Sequence, residues 1–118
     1  MQPWYWKNMT HETLYSVTVG PTDTDSYNIV HHPMYLVWCE AAIYQYLLAD
    51  PAAFPVRDYE IRHLSCKFHT PARLHDRLNA VVVCAKPKQD EPVQFRVQLT
   101  NAETGAVVVS AKLELLFQ

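Results

Sequence analysis

The stretch HPMYLVWCEAAIYQYLLA, residues 32–49, decides the fold that we predict for this chain. Pro33 suits the first turn of a helix, where a missing N–H costs nothing, and Asp50, which precedes another proline, ends it. Between residues 34 and 49 only Glu40 and Gln45 are clearly polar. A helix that is apolar almost all round is surrounded by protein. We therefore expect one long helix, either enclosed by a curved sheet or covered on its far side by a partner subunit.

The segments around this helix alternate between apolar and polar residues, as β-strands do. The predicted strands cover residues 12–20, 57–69, 77–86, 93–100 and 106–117. In the second strand the apolar residues stand at odd numbers up to Ile61 and at even numbers after it. This shift by one residue indicates a β-bulge. The third strand is apolar on both faces, so it is central in the sheet or buried at an interface. Gly105 ends a hairpin loop between the fourth and fifth strands. The order strand, helix, four strands predicts an α+β domain over residues 1–118, with the helix against a five-stranded antiparallel sheet.

The composition of the chain limits the classes of function that it can have. The chain has 118 residues, 49% apolar and 19% charged, which is typical of one globular domain. A net charge of -2 gives no electrostatic support for binding nucleic acid or an anionic membrane. The three cysteines are an odd number and lie in apolar runs, which favours reduced, buried thiols. No apolar run is long enough to span a bilayer and no signal peptide is evident, so we expect a cytoplasmic protein.

The loop before the helix, TDTDSYNIVHHPMY at residues 22–35, is where chemistry is most plausible. A helix N-terminus presents unpaired N–H groups and about half a positive charge, which can hold a developing oxyanion. A carboxylate beside it, such as Asp25, could activate water or attack directly. Asp25 could equally cap the turn or the helix. Because His31 and His32 are adjacent and no metal-ligand spacing is present, we predict no metal site.

Three groups of residues resemble a known family: Asp23-Thr-Asp25, then Ile29-Val-His-His-Pro-Met-Tyr35, then Trp38-Cys-Glu40. Together they resemble the signature of hotdog-fold acyl-CoA thioesterases of the 4-hydroxybenzoyl-CoA thioesterase type. The later Pro71-Ala-Arg-Leu-His-Asp76 is similar to that family's Pro-Ala-x-x-x-Asp turn between two strands. The likeness covers nearly the whole chain in element order and is sharp over residues 23–40.

This resemblance implies a hotdog fold, with the long central helix wrapped by the sheet, and an edge-to-edge homodimer that often pairs into a tetramer. It implies hydrolysis of an acyl-CoA or acyl-carrier-protein thioester without a metal or organic cofactor, coenzyme A being part of the substrate. By position, Asp25 would be the catalytic base or nucleophile, and the backbone N–H near His32 would polarise the carbonyl. The residues expected to form the substrate site are Tyr27, Asn28, Ile29, Val30, His31 and Tyr35.

The chain departs from the family pattern at a few positions. Tyr27 and Asn28 stand where a Gly is frequent, Met34 where Asn is common, and Ile43 where an Arg often occurs. Asn28 can adopt a left-handed conformation, so the turn can be preserved. Two other functions on the same fold stay open: a non-catalytic acyl-thioester-binding protein, and a dehydratase or hydratase. We also expect a structural role for Asp23, whose carboxylate would accept N–H groups of the loop.

Overall fold

A computed structural model describes residues 4–5, 15–52, 54, 58–85 and 90–118. Six strands and one long helix lie in these residues, with a short 3-10 turn at Pro21–Asp23. The elements are β1 (Trp4–Tyr5), β2 (Tyr15–Thr18), α1 (His32–Ala49), β3 (Tyr59–Phe68), β4 (Arg77–Ala85), β5 (Val93–Asn101) and β6 (Val107–Phe117).

The strands form one antiparallel sheet in the order β1-β4-β5-β6-β3, with β2 also paired to β4. The five predicted strands and the α+β class are confirmed. The two-residue β1 was not predicted, since two residues carry no periodicity. Residues 12–14, 57 and 86 of the predicted strands lie outside the described part of the chain.

Two predictions about strand geometry are confirmed. The register of β3 against β6 shifts between Ile61 and His63, as the change in parity indicated. The doubly apolar β4 is central, because it pairs with β5 on one side and with β1 and β2 on the other. Gly105 has a φ of 76°, which a residue with a side chain adopts at a cost.

The core lies between the inner face of the sheet and one face of α1. At its centre the ring of Phe95 is fully buried and lies 6.1 Å from that of Tyr46 and 6.0 Å from that of Phe54. The buried helix residues recur at spacings of three and four, as one face of a helix requires. They are Tyr35, Trp38, Cys39, Ala42, Ile43, Tyr46 and Leu47.

The opposite face of α1 carries large apolar side chains that the sheet does not cover. Val37, Tyr44 and Leu48 are 54%, 49% and 44% exposed. In the described part of the chain, the sheet therefore covers one face of α1 and does not enclose the helix on all sides. The other alternative, coverage by a partner subunit, stays a prediction. No helix in the described ranges is long and apolar enough to cross a membrane.

The core contains protonated thiols, and a hydrogen-bonded carboxylate lies beside it. Burial raises the pKa of the Cys39 thiol to about 12 and that of Cys84 to about 11, so both are protonated at neutral pH. All three cysteines are free thiols. The half-buried Glu40 accepts a hydrogen bond of 2.9 Å from the Tyr59 hydroxyl. Burial and this carboxylate raise the pKa of Tyr59 to about 12.

Candidate active site

The loop between β2 and α1 is folded on its own backbone and side chains. Asp23 Oδ2 accepts a hydrogen bond from the Gly20 N–H at 2.9 Å, and the Asp23 carbonyl accepts one from the His31 N–H at 2.9 Å. The expected structural role of Asp23 is therefore confirmed. These two bonds hold the start of the loop beside the residue that precedes the helix.

Asp25 anchors the tip of the same loop. Its Oδ1 accepts hydrogen bonds from the N–H groups of Tyr27 at 2.8 Å and Ile29 at 3.2 Å. Its backbone N–H donates to the Ile29 carbonyl at 2.9 Å. The other carboxylate oxygen, Oδ2, makes no hydrogen bond to the described residues, and the side chain is exposed. One oxygen is thus held in place while the other is available to water or a ligand.

The turn at residues 71–76 holds the loop from the other side. The Val30 N–H donates to the Ala72 carbonyl and the Leu74 N–H donates to the Asn28 carbonyl, both at 3.0 Å. The two segments that resemble the thioesterase family are therefore in direct contact. Asn28 has a φ of 60°, so the left-handed conformation that we expected of it is confirmed.

Replacement of Asn28 by Ala is expected to lower the free energy of unfolding by about 1–2 kcal/mol. Alanine has a Cβ but no side-chain group that can hydrogen-bond to the nearby backbone, so it is strained in the left-handed region. Replacement by Gly, which adopts this conformation freely, serves as the matched control and should be nearly neutral. Urea denaturation measures both. Equal stability of the two variants would show that backbone strain at this position is unimportant.

The helix begins without a side-chain cap. The capping position is His31, which has extended backbone angles and makes no side-chain hydrogen bond to the helix. The His32 N–H has no hydrogen-bond partner in the described part of the chain. A partnerless N–H at the positive end of an 18-residue helix is suited to receive a carbonyl oxygen or an anion.

A small pocket of about 120 Å³ opens beside this helix start. The ring of His32 stacks on that of Phe68, with centroids 4.3 Å apart and 12° between the planes. Tyr35, only 2% exposed, accepts a hydrogen bond of 2.9 Å from the Ala72 N–H. Burial raises the pKa of the Tyr35 hydroxyl, which therefore stays neutral and positions the turn rather than acting as a base.

The structure brings part of the predicted site together. Four predicted residues line the pocket, and the other four lie in the adjoining loop without lining it. The lining residues are Ile29, Val30, His32 and Tyr35, and the loop residues are Asp25, Tyr27, Asn28 and His31. Asp25 nevertheless lies next to the pocket wall, because its backbone and its side chain are both hydrogen-bonded to Ile29.

Our prediction of site residues missed the far wall of the pocket, which is formed by Phe68, His69, Thr70 and Pro71. A signal was present, since an aromatic residue at the end of a strand leads directly into the Pro-Ala turn. Local pattern does not show, however, that this strand end meets the helix start. The residues that the structure describes hold no group of three or more His, Cys, Asp or Glu side chains that could bind a metal.

Comparison with known proteins gives a family and a fold. The sequence profile of the Thioesterase superfamily matches residues 27–103. No curated protein gives a significant sequence match. A probable thioesterase from Bartonella henselae has a similar structure, with a TM-score of 0.73, 20% identity, and coverage of 86% of this chain and 85% of that one.

Two further similar structures carry names that state a substrate. A 1,4-dihydroxy-2-naphthoyl-CoA thioesterase from Synechocystis has a TM-score of 0.70 and 22% identity over 86% of this chain and 78% of its own. A gentisyl-coenzyme A thioesterase has a TM-score of 0.76 and 22% identity over 87% and 85%. At these identities the structures establish the hotdog fold, and the profile, which spans more than half of the sequence, establishes the family: this chain belongs to the thioesterase superfamily.

Proposed function

We propose that this protein hydrolyses an acyl thioester of coenzyme A, or of an acyl carrier protein, with Asp25 as base or nucleophile. The observation that carries the proposal is the presence of two available groups, one on the loop before α1 and one at the first residue of α1. Asp25 Oδ2 has no hydrogen-bond partner in the described residues, and neither has the His32 N–H at the helix start. One group can activate or attack, and the other can stabilise the oxyanion that results.

The reaction follows from these two groups. With the thioester carbonyl at the helix N-terminus, its oxygen accepts a hydrogen bond from the His32 N–H, which makes the carbon more electrophilic. Asp25 then removes a proton from water as the water attacks, or attacks the carbon itself to give a mixed anhydride that water cleaves. In either case the C–S bond breaks, and the products are a carboxylic acid and a thiol.

The pocket limits the acyl group. About 120 Å³ is close to the ~150 Å³ of an apolar cavity known to hold benzene, so one aromatic ring or a few carbons fit. Three of its walls are the rings of His32, Tyr35 and Phe68, which favour stacking with an aromatic group. The two similar structures with named substrates act on aromatic acyl thioesters, in line with this choice.

A panel of thioesters tests the function. Thiol release would be followed from aromatic, short, medium and long acyl-CoAs and from an acyl-carrier-protein thioester, with an enzyme-only blank for reaction of Cys66 with the thiol reagent. We expect turnover of aromatic or short acyl groups and little turnover of long ones. Binding of acyl-CoA without turnover would favour the acyl-binding alternative. Addition of water to an enoyl thioester would favour the hydratase alternative.

We further propose that the protein works as a cytoplasmic homodimer joined through β3. This strand pairs with β6 alone among the described strands, so its other edge is available. It carries Ile61, Leu64 and Phe68 at 40–44% exposure, an apolar edge that a monomer would leave open to aggregation. A second β3 would cover it, and the apolar outer face of α1 provides a surface for pairing of dimers. The free thiols support a reducing compartment.

Light scattering after gel filtration is expected to give the mass of two or four chains. Replacement of Leu64 by Lys places a charge on the exposed strand edge and should shift the mass towards one chain. Arg62→Lys, two residues away and of unchanged charge, is the control and should keep the wild-type mass. A monomeric wild-type protein at micromolar concentration would contradict the dimer.

A further inference from the structure

Phe68 forms part of the wall of the small pocket at the start of α1, which we call the acyl pocket. Its ring stacks on that of His32, with centroids 4.3 Å apart, and lies 5.6 Å from the ring of Tyr35. The wall continues into the three residues that follow Phe68, which are His69, Thr70 and Pro71. No described residue of β3 before Phe68 lines the pocket. The Phe68 ring is therefore the boundary of the pocket towards the middle of β3.

Beyond this boundary, β3 carries apolar residues on the same face as Phe68. We call them the inner row and define it by Ile61, Leu64 and Cys66. Each lies opposite a buried residue of β6, as Phe68 does, and residues directly opposite each other share a face of the sheet. The β6 residues in question are Leu115, Leu113, Ala111 and Val109. The inner row therefore lies on the side of the sheet that carries α1.

The helix leaves the inner row partly open. It packs chiefly on β2, β4 and β5. Ile61 and Leu64 are each 40% exposed, and Cys66 is half-buried. Burial and the nearby Cys66 raise the pKa of the Cys39 thiol, which indicates that the Cys66 side chain lies near α1. An apolar surface thus extends along β3 beside the helix, and the Phe68 ring stands between this surface and the acyl pocket.

We propose that Phe68 sets the length of the acyl group that the protein accepts, and restricts it to aromatic or short groups. The inference rests on the proposed function and deepens it, since it names the residue that selects the substrate class. With Phe68 in place, the acyl group ends in a pocket of about 120 Å³, which has room for one aromatic ring. The same side chain offers its face to such a ring and blocks a longer alkyl chain from the inner row.

Removal of the ring is expected to join the acyl pocket to the inner row. Phe68 is 44% exposed, so its replacement by Ala leaves no large buried cavity and the variant should fold. A medium-length alkyl chain then lies along Cys66 and Leu64 instead of ending at the ring. Each further CH2 group that leaves water raises the affinity about fourfold.

Calorimetric titration with ketone analogues of acyl-CoA tests the proposal. In these analogues a CH2 group separates the carbonyl carbon from the sulfur, so they bind without being hydrolysed. We expect wild type to bind the phenyl ketone about tenfold more tightly than the octyl ketone. Phe68→Ala should reverse this order and raise the affinity for the octyl ketone about tenfold or more, because two or more further CH2 groups become buried.

Two further variants locate the effect. Tyr44→Ala removes a ring of similar exposure, 49%, from the outer face of α1 and should keep the wild-type order. Phe68→Ala combined with Cys66→Leu places a larger side chain on the inner row and should lose most of the gain for the octyl ketone. If Phe68→Ala does not fold, Phe68→Val replaces it in both comparisons.

The outcomes separate this inference from the proposed function. An unchanged order in Phe68→Ala, or the same reversal in Tyr44→Ala, overturns the role of Phe68. A gain that Cys66→Leu leaves unchanged overturns it as well, because the alkyl chain then does not follow the inner row. If the ketones bind in the expected order but no thioester is turned over, the result contradicts the proposed hydrolysis and supports the role of Phe68.

Discussion

Replacement of Asp25 by Asn is expected to lower kcat by about two to four orders of magnitude, the range that a positioned base contributes. Asn is nearly isosteric, and its carbonyl oxygen can still accept the N–H groups of Tyr27 and Ile29 that now bind Asp25 Oδ1. The loop should therefore keep its shape. The amide nitrogen that takes the place of Oδ2 can neither accept a proton nor attack a carbonyl, so the chemistry is lost and the fold is not.

Asp23→Asn is the matched control for this experiment. Asp23 lies in the same loop, and its Oδ2 accepts the Gly20 N–H, a bond that an Asn carbonyl oxygen can also accept. We expect this variant to keep most of the activity. Thiol release would be measured for both variants on the best substrate of the panel, beside thermal melting. Full activity in Asp25→Asn would mean that the carboxylate only caps the turn, the structural alternative that the sequence leaves open.

Replacement of Tyr35 by Ala should lower the free energy of unfolding by about 3–5 kcal/mol, as loss of a buried aromatic ring usually does. The ring is 2% exposed and contacts the rings of Trp38 and Phe68, with centroids 5.9 and 5.6 Å away. Its removal opens a cavity beside the acyl pocket. It also leaves the buried Ala72 N–H without the acceptor that it now has.

A second substitution separates the contribution of the Tyr35 hydroxyl to stability from that of its ring. Tyr35→Phe keeps the ring and removes only the acceptor of the Ala72 N–H, so about 1–3 kcal/mol is expected from this change alone. Tyr44→Phe on the exposed face of the same helix is the control and should change stability by less than about 0.5 kcal/mol. Urea denaturation measures all three. If Tyr35→Phe were as stable as wild type, the hydrogen bond to the turn would contribute nothing.

Several features of this fold follow from local sequence. The helix at residues 32–49 has the bounds that Pro33 and Asp50 indicate, because start and stop signals of a helix act within one turn. The bulge in β3 follows from a change of parity in six residues. The left-handed turn follows from the type of residue at Asn28. Each of these depends on conformational preferences of neighbouring residues, which a sequence states directly.

The candidate site could be predicted only in part from local sequence. The loop that contains Asp25 could be singled out because its residue types are unusual ahead of a helix. The far wall of the pocket could not, because Phe68 and Pro71 reach the helix start only when β3 pairs with β6 and the following turn meets the loop.

The sequence by itself thus determined the class of fold, the long helix and the carboxylate-bearing loop before it, since these depend on periodicity and residue type over short distances. Only the tertiary structure decided which face of α1 stays exposed, which side chains close the acyl pocket, and that one oxygen of Asp25 has no hydrogen bond to the described residues. These features arise where distant segments meet. The hydrogen bonds that join Val30 to Ala72 and Leu74 to Asn28 connect residues more than 40 positions apart, and no local pattern encodes such contacts.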